Sequence, residues 1–190
     1  MSSPPATASP DPTFVLLTGP AGSGKSTAAA AWAAQGTEPR ALLDVDELRA
    51  LIKAGFAHPE HGWTDETERQ WTIGTNLCAA IARVYKANGI SAIIDVYAPP
   101  WPGDPWSTLI DELDGTVVTL LPTVEVGLAR NTARARQPFL LGADLRANYH
   151  GFAECVALHP PDHLIDTSTL TVDKVVDHIQ AILDERTSAN

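Results

Sequence analysis

Eight consecutive residues concentrate the chemistry of this chain: Gly19, Pro20, Ala21, Gly22, Ser23, Gly24, Lys25 and Ser26, with Thr27 following. A turn from strand to helix needs one glycine, whereas this one has Gly19, Gly22 and Gly24, which leaves its backbone bare enough for a close approach. The spacing is G-x-x-x-x-G-K-[ST], the phosphate loop, in which successive N–H groups and the positive end of the next helix converge on an anion. Residues 19–27 are therefore the expected phosphate contacts. Lys25 is expected to reach the β and γ phosphates, and Ser26 to ligate Mg²⁺. With glycine at about 7% of average usage, a chance match in a chain this long has a probability on the order of one in a hundred.

Two further segments carry acids. "ALLDVDELR" places Asp44 late in a strand and Asp46 at its exit, on one face while the strand lasts. Either can serve as a base toward an acceptor hydroxyl, with Asp46 better placed, although Asp46 could equally cap the helix that begins "ELRALI". "AIIDVYAPP" places Asp95 at the end of a buried run. A buried carboxylate needs a partner, and Mg²⁺, held directly or through water, is the expected one.

The cations gather in "VEVGLARNTARARQPFLLGAD". Arg130 and Arg134 lie one helical turn apart, so both guanidinium groups can face a transferred phosphoryl group. A solvated, salt-bridged helix is the alternative. Arg136-Gln137-Pro138 is expected to end that helix and open a lid around 134–143, with Arg136 available to the nucleotide. Thr167 and Ser168, after the last strand, are placed near the nucleotide base by position alone. Phe56, Trp63, Tyr97, Trp101 and Trp106 fall in Pro- and Gly-rich loops, where aromatic residues can line an acceptor pocket. His58 and His61 form only an H-x-x-H, a weak metal signal without further ligands.

These groups need a frame. Near-continuous apolar runs at 14–18, 40–45, 90–96, 116–121 and 163–165 read as strands covered on both faces, which implies a parallel sheet. Helical patterns occupy Lys25 to Gln35, a stretch from about Asp46, a long run from Asp65 to Asn88, and roughly 105–113, 123–136, 143–156 and 172–185. In the long helix, Asp65 with Glu68 resembles a capping box, and Trp71, Gly74, Leu77, Ile81, Val84 and Tyr85 form the expected core stripe. The alternation reads as one α/β domain over 14–190, with residues 1–13 a disordered tail.

Composition bounds the partners. The net charge of -10 argues against a long phosphate backbone as ligand, so nucleic acid is an unlikely partner and a small hydroxyl compound a better one. No stretch is apolar enough to span a bilayer, and residues 1–13 lack the plan of a secretory signal. Cys78 and Cys155 have no metal-type spacing and read as reduced core thiols, which suits the cytoplasm.

"GPAGSGKST", "LLDVDEL", "AIIDVYAPP" and "LPTVEVGLARNTARAR", with "LIDTSTLTVDKVVDHI" closing the chain, together resemble the small P-loop kinases. Within them they resemble the chloramphenicol phosphotransferase-like group, with gluconate kinases and zeta toxins as wider relatives. The resemblance implies a three-layer fold with a five-stranded parallel sheet in the order 2-3-1-4-5, and transfer of the γ-phosphate of ATP to a hydroxyl. It assigns Asp46 as base, Lys25 and Ser26 to phosphate and metal, and Arg130 and Arg134 as lid cations. Asp95 is followed by Val96-Tyr97-Ala98 rather than a second acid, and "GFAHPEHGWT" has no counterpart in the group, so the acceptor stays open. Zeta-toxin-like or polynucleotide kinases, and a switch with slow hydrolysis, are the alternatives.

Overall fold

The computed structural model describes residues 11–59, 62–97, 105–133, 142–157 and 163–189. Strands β1 (Phe14–Thr18), β2 (Arg40–Asp44), β3 (Ser91–Asp95), β4 (Thr116–Leu120) and β5 (Leu164–Ile165) form one sheet in the order β2-β3-β1-β4-β5. Every pairing is parallel. This is the expected α/β architecture, with strand ends displaced by at most one residue.

The continuous apolar runs are explained by two cores. Alternate residues of β1 face opposite ways: Phe14 and Leu16 join Leu43, Ala92 and Ile94 beneath helices α3 (Asp65–Ala87) and α4 (Pro105–Leu113). Val15 and Leu17 join Ile93, Val118 and Leu120 beneath α1 (Lys25–Ala33) and α7 (Val172–Ala189). Each fully buried side chain of this size contributes about 1.5–3 kcal/mol. The centre of the sheet is thereby a rigid base for whatever sits at its carboxyl edge.

The start and face of α3 differ from expectation. Its cap is Thr64, whose hydroxyl accepts the Thr67 N–H at 3.2 Å, and Asp65 is the first helical residue. Glu68 accepts from Trp63 Nε1 instead of completing a capping box. Leu77 and Val84 are 41% and 60% exposed, while Gly74, Cys78, Ala79 and Ala82 are buried. The reason is volume: Phe14, Ile94, Trp106 and Leu109 already fill the space under α3, so the helix turns small residues inward.

Other elements are α2 (Val45–Arg49), α5 (Val124–Thr132) and α6 (Gly142–Val156). Thr13, assigned to the tail on sequence, donates its N–H to Ser91 Oγ at 3.0 Å and so joins the sheet. Residues 1–10 of the expected tail lie outside the described residues. Among the described residues no helix is long and apolar enough to cross a membrane.

Candidate nucleotide and acceptor site

Strand register assembles the site. Leu17 pairs with Asp95 across β1 and β3, and Asp44 pairs with Asp95 across β2 and β3. The chain leaving β1 at Thr18, the end of β3 and the end of β2 therefore lie abreast, where open parallel sheets bind ligands.

The loop leaving β1 ends in Gly24, the residue before α1, at φ 94 with no side-chain cap. No acidic residue occupies the first turn, and the Ala28 N–H to Gly24 O bond of 3.0 Å is the first of the helix. The amides before Ala28 thus have no partner within the helix and face outward with the positive end of its dipole. A Cβ on Gly24 would meet nothing within 4 Å, so open space lies over these amides. Gly19 and Gly22 are needed for another reason. A Cβ there would stand 2.4 Å from Leu120 O and 2.2 Å from Gly127 O respectively, so these glycines let the loop pack on β4 and α5. These contacts give Gly19 and Gly22 a packing role beside the one expected of them, whereas the Gly24 position opens outward.

Lys25 is 8% exposed, with Nζ 3.7 Å from Asp95 Oδ1 and 5.7 Å from the centre of the Tyr97 ring. Asp95 is 4% exposed, and among the described residues its Oδ1 has no hydrogen-bond partner. In the structure a lysine stands against this buried acid, at a separation that pairs the charges and leaves oxygen lone pairs open for the expected metal. Asp95 and Ser26 supply hard oxygens suited to Mg²⁺, which keeps several waters and takes its remaining ligands from phosphate. Among the described residues no group of three or more His, Cys, Asp or Glu could hold a metal by itself.

The two β2 acids divide their labour. Asp44, not Asp46, caps α2: its Oδ1 accepts from the Asp46 N–H at 2.9 Å and the Glu47 N–H at 3.2 Å. β2 ends at Asp44 because α2 begins at Val45, and the shared strand face with Asp46 is lost. Burial pushes the Asp44 carboxyl above its ordinary range; the Glu47 amide opposes this, while the charges of Asp95 and Asp46 add to it. Asp46 projects outward with a side chain 68% exposed, and its Oδ1 accepts from Arg49 Nη1 at 3.1 Å.

Arg49 was not singled out on sequence, although Asp46 and Arg49 at i, i+3 share a helix face. Its side chain is 2% exposed, with the guanidinium carbon 4.9 Å from the Trp71 ring centre and 5.5 Å from that of Phe56. Gln70, equally unnoticed, fastens the loop that carries Phe56: its Nε2 donates to Gly55 O and its Oε1 accepts from the Ala57 N–H, both at 2.8 Å. A glutamine in a helix carries no sequence signal for that role.

Of the other aromatic candidates, Trp106 belongs to the core at 3% exposure, and Trp63 is exposed beside Trp71. Tyr97 is half-buried between Lys25 and Phe152, and burial raises its hydroxyl's pKa. Trp101 and His61 lie outside the described residues, and His58 packs edge-on to Phe56.

Arg130 is held by the loop after β5. Its Nη1 donates to Thr167 Oγ1 at 3.2 Å and its Nη2 to Thr167 O at 2.8 Å, while Thr167 Oγ1 donates to Ser23 O at 2.8 Å. Ser168 is held in the same loop, its Oγ accepting from the Thr123 N–H at 2.8 Å. Together Gly22, Gly24, Thr27, Arg130, Thr167 and Leu170 line a cleft of about 300 Å³ beside the phosphate loop. α5 ends at Thr132, short of the expected 136; Arg134, Arg136 and lid residues 134–141 lie outside the described residues.

Chains of known structure share the fold. A shikimate kinase from Acinetobacter baumannii, solved in complex with shikimate, superposes with a TM-score of 0.65 at 20% identity, covering 95% of this chain and 98% of that one. The fold is that of the P-loop kinases. A sugar kinase from Janibacter sp. HTCC2649 gives 0.62 at 20% identity, over 91% of this chain and 95% of that one. A gluconokinase from Sinorhizobium meliloti 1021 gives 0.58 at 18% identity, over 94% and 95%. No family model matches the sequence, and no curated protein matches it.

Proposed function

We propose that this chain is an ATP- and Mg²⁺-dependent kinase that phosphorylates a hydroxyl of a small molecule. The observation that carries the reading is the union, at one sheet edge, of the uncapped α1 amides, the Lys25–Asp95 pair at 3.7 Å and the outward carboxylate of Asp46. Bound MgATP supplies an electrophilic phosphoryl group. The loop amides and Lys25 bind and orient its phosphates, and Ser26 and Asp95 hold the metal. Arg130 and Thr167 line the cleft for the base, with Ser168 in the same loop and a guanidinium face available for stacking. Asp46 accepts the acceptor's proton as the acceptor oxygen bonds to the γ-phosphorus, while the bond from that phosphorus to the β,γ-bridging oxygen breaks and ADP leaves with that oxygen.

Asp46 is favoured over Asp44 because the capping amides already occupy Asp44 Oδ1. Arg134 and Arg136 complete the proposal as lid cations on sequence grounds. The narrower likeness to chloramphenicol phosphotransferases rests on the sequence segments, so an antibiotic is one acceptor class among several. A cytoplasmic place suits ATP chemistry and the buried free thiol of Cys78, whose pKa is pushed up to about 12 by burial.

The test is ADP release across a panel of hydroxylated acceptors. Asp46→Asn is expected to slow the acceptor-dependent rate by about 10²- to 10⁴-fold without loss of nucleotide binding. A rate within a few-fold of the parent removes Asp46 from the role of base.

A further inference from the structure

We infer that Arg49 is a receptor for an oxyanion on the acceptor, a carboxylate, phosphate or sulfate group carried near the hydroxyl that is phosphorylated. The inference rests on the kinase reading for what the acceptor is, and on Arg49 itself for the anion.

A guanidinium has two edges suited to bidentate contact. Asp46 occupies Nη1 alone. Nε and Nη2, which form the side-on edge, are both buried and among the described residues both lack a hydrogen-bond partner. Two parallel N–H donors on one edge match the two oxygens of a carboxylate or of a phosphate face.

The surroundings are built to hold the group still. Trp71 and Phe56 lie against it, and the α3 helix carries a glycine at 74, where a Cβ would stand 2.5 Å from Arg49 Cγ. Stacking on rings satisfies no N–H donor, and an apolar side chain would fill the same slot without stranding a charge. A structural role therefore accounts for the stem of Arg49 but not for its unused edge. Phe56 covers this residue from the loop that Gln70 fastens, so an entering anion displaces Phe56 while the backbone at Gly55 and Ala57 stays anchored.

The experiment uses the full chain loaded with magnesium and a non-hydrolysable ATP analogue, so that the phosphate loop is filled. The Arg49 Nε–H resonance is followed by NMR during titration with sodium sulfate, inorganic phosphate or acetate, against sodium chloride at matched ionic strength. It is assigned by its absence in Arg49→Lys and by its proximity to the Phe56 and Trp71 rings. A saturable shift with at least one oxyanion and none with chloride is expected, and the anion that acts identifies the acceptor's charged group. Arg49→Lys, which keeps the charge but loses the side-on edge, is expected to bind that anion at least about tenfold more weakly. A resonance unmoved by all three anions overturns the inference, as does equal binding by a folded Arg49→Lys. If Arg49→Lys fails to fold, the wild-type titration decides alone. Calorimetry with MgATP separates the two claims: no binding defeats the kinase reading, and a saturable Arg49 shift in the unloaded protein would then leave the oxyanion receptor standing.

Discussion

Replacing Gly74 with alanine puts the Arg49 slot to a quantitative test. In an exposed helix interior, Gly→Ala stabilises by about 1 kcal/mol through helix propensity. Here the new methyl would lie 2.5 Å from Arg49 Cγ and 3.1 Å from Cδ, with Val45 Cγ1 at an ordinary 3.8 Å. The obstructing atoms belong to the stem of a side chain 2% exposed and wedged between two rings, so they cannot swing away. Overpacking of that kind costs about 1–3 kcal/mol, so the net effect is a loss of about 0–2 kcal/mol. In an Arg49→Ala background the obstruction is gone, and Gly74→Ala is expected to recover the gain of about 1 kcal/mol. The double-mutant cycle therefore has an expected coupling of about 1–3 kcal/mol. Urea unfolding with a common m-value measures it, and each kcal/mol corresponds to about 2–4 °C in Tm for a chain of this size. If Gly74→Ala stabilises both backgrounds equally, the glycine does not make room for the arginine, and the argument for a held guanidinium fails.

Arg130→Ala is expected to raise KM for ATP more than it lowers kcat, because Arg130 grips the Thr167–Ser168 loop beside the cleft; Arg134→Ala is expected to do the reverse, and steady-state kinetics of both variants show whether the split holds. Asp44 concerns pH. Its folded-state pKa is raised, so its favourable contribution is complete below the ordinary carboxylate range and is lost as pH rises through the raised value. Asp44→Asn keeps a good cap and removes the charge, so relative to the parent it is expected to be more favourable at neutral pH than at acid pH. Thermal melts from acid to neutral pH check this, and a constant difference between the two proteins would contradict it.

Much of this protein is legible in residue order because the physics is local or periodic. Runs such as "FVLLT" and "SAIID" alternate between two cores, and a strand buried on both faces must be apolar throughout, which the eye can read. The phosphate loop is equally legible, since its glycine and lysine spacing answers to a single turn. The face of α3 was legible in part: Trp71, Gly74, Ile81 and Tyr85 lie toward the core as expected, but the period alone cannot say that Cys78, Ala79 and Ala82 join them while Leu77 and Val84 turn outward. That was decided by Phe14, Trp106 and Leu109, which arrive from distant parts of the chain.

The site divides in the same way. Residue types and spacing set the expectation of an anion at the backbone amides beside Lys25, and determined that acids end the neighbouring strands. Only the tertiary structure decided that Asp95 faces Lys25, that Asp44 is consumed as a cap, that Arg130 turns to Thr167, and that Arg49 lies buried with one edge unused. The physical reason is range: strand propensity and loop geometry act over a few residues, whereas charge pairing, burial and an orphaned donor depend on which segments the fold brings side by side.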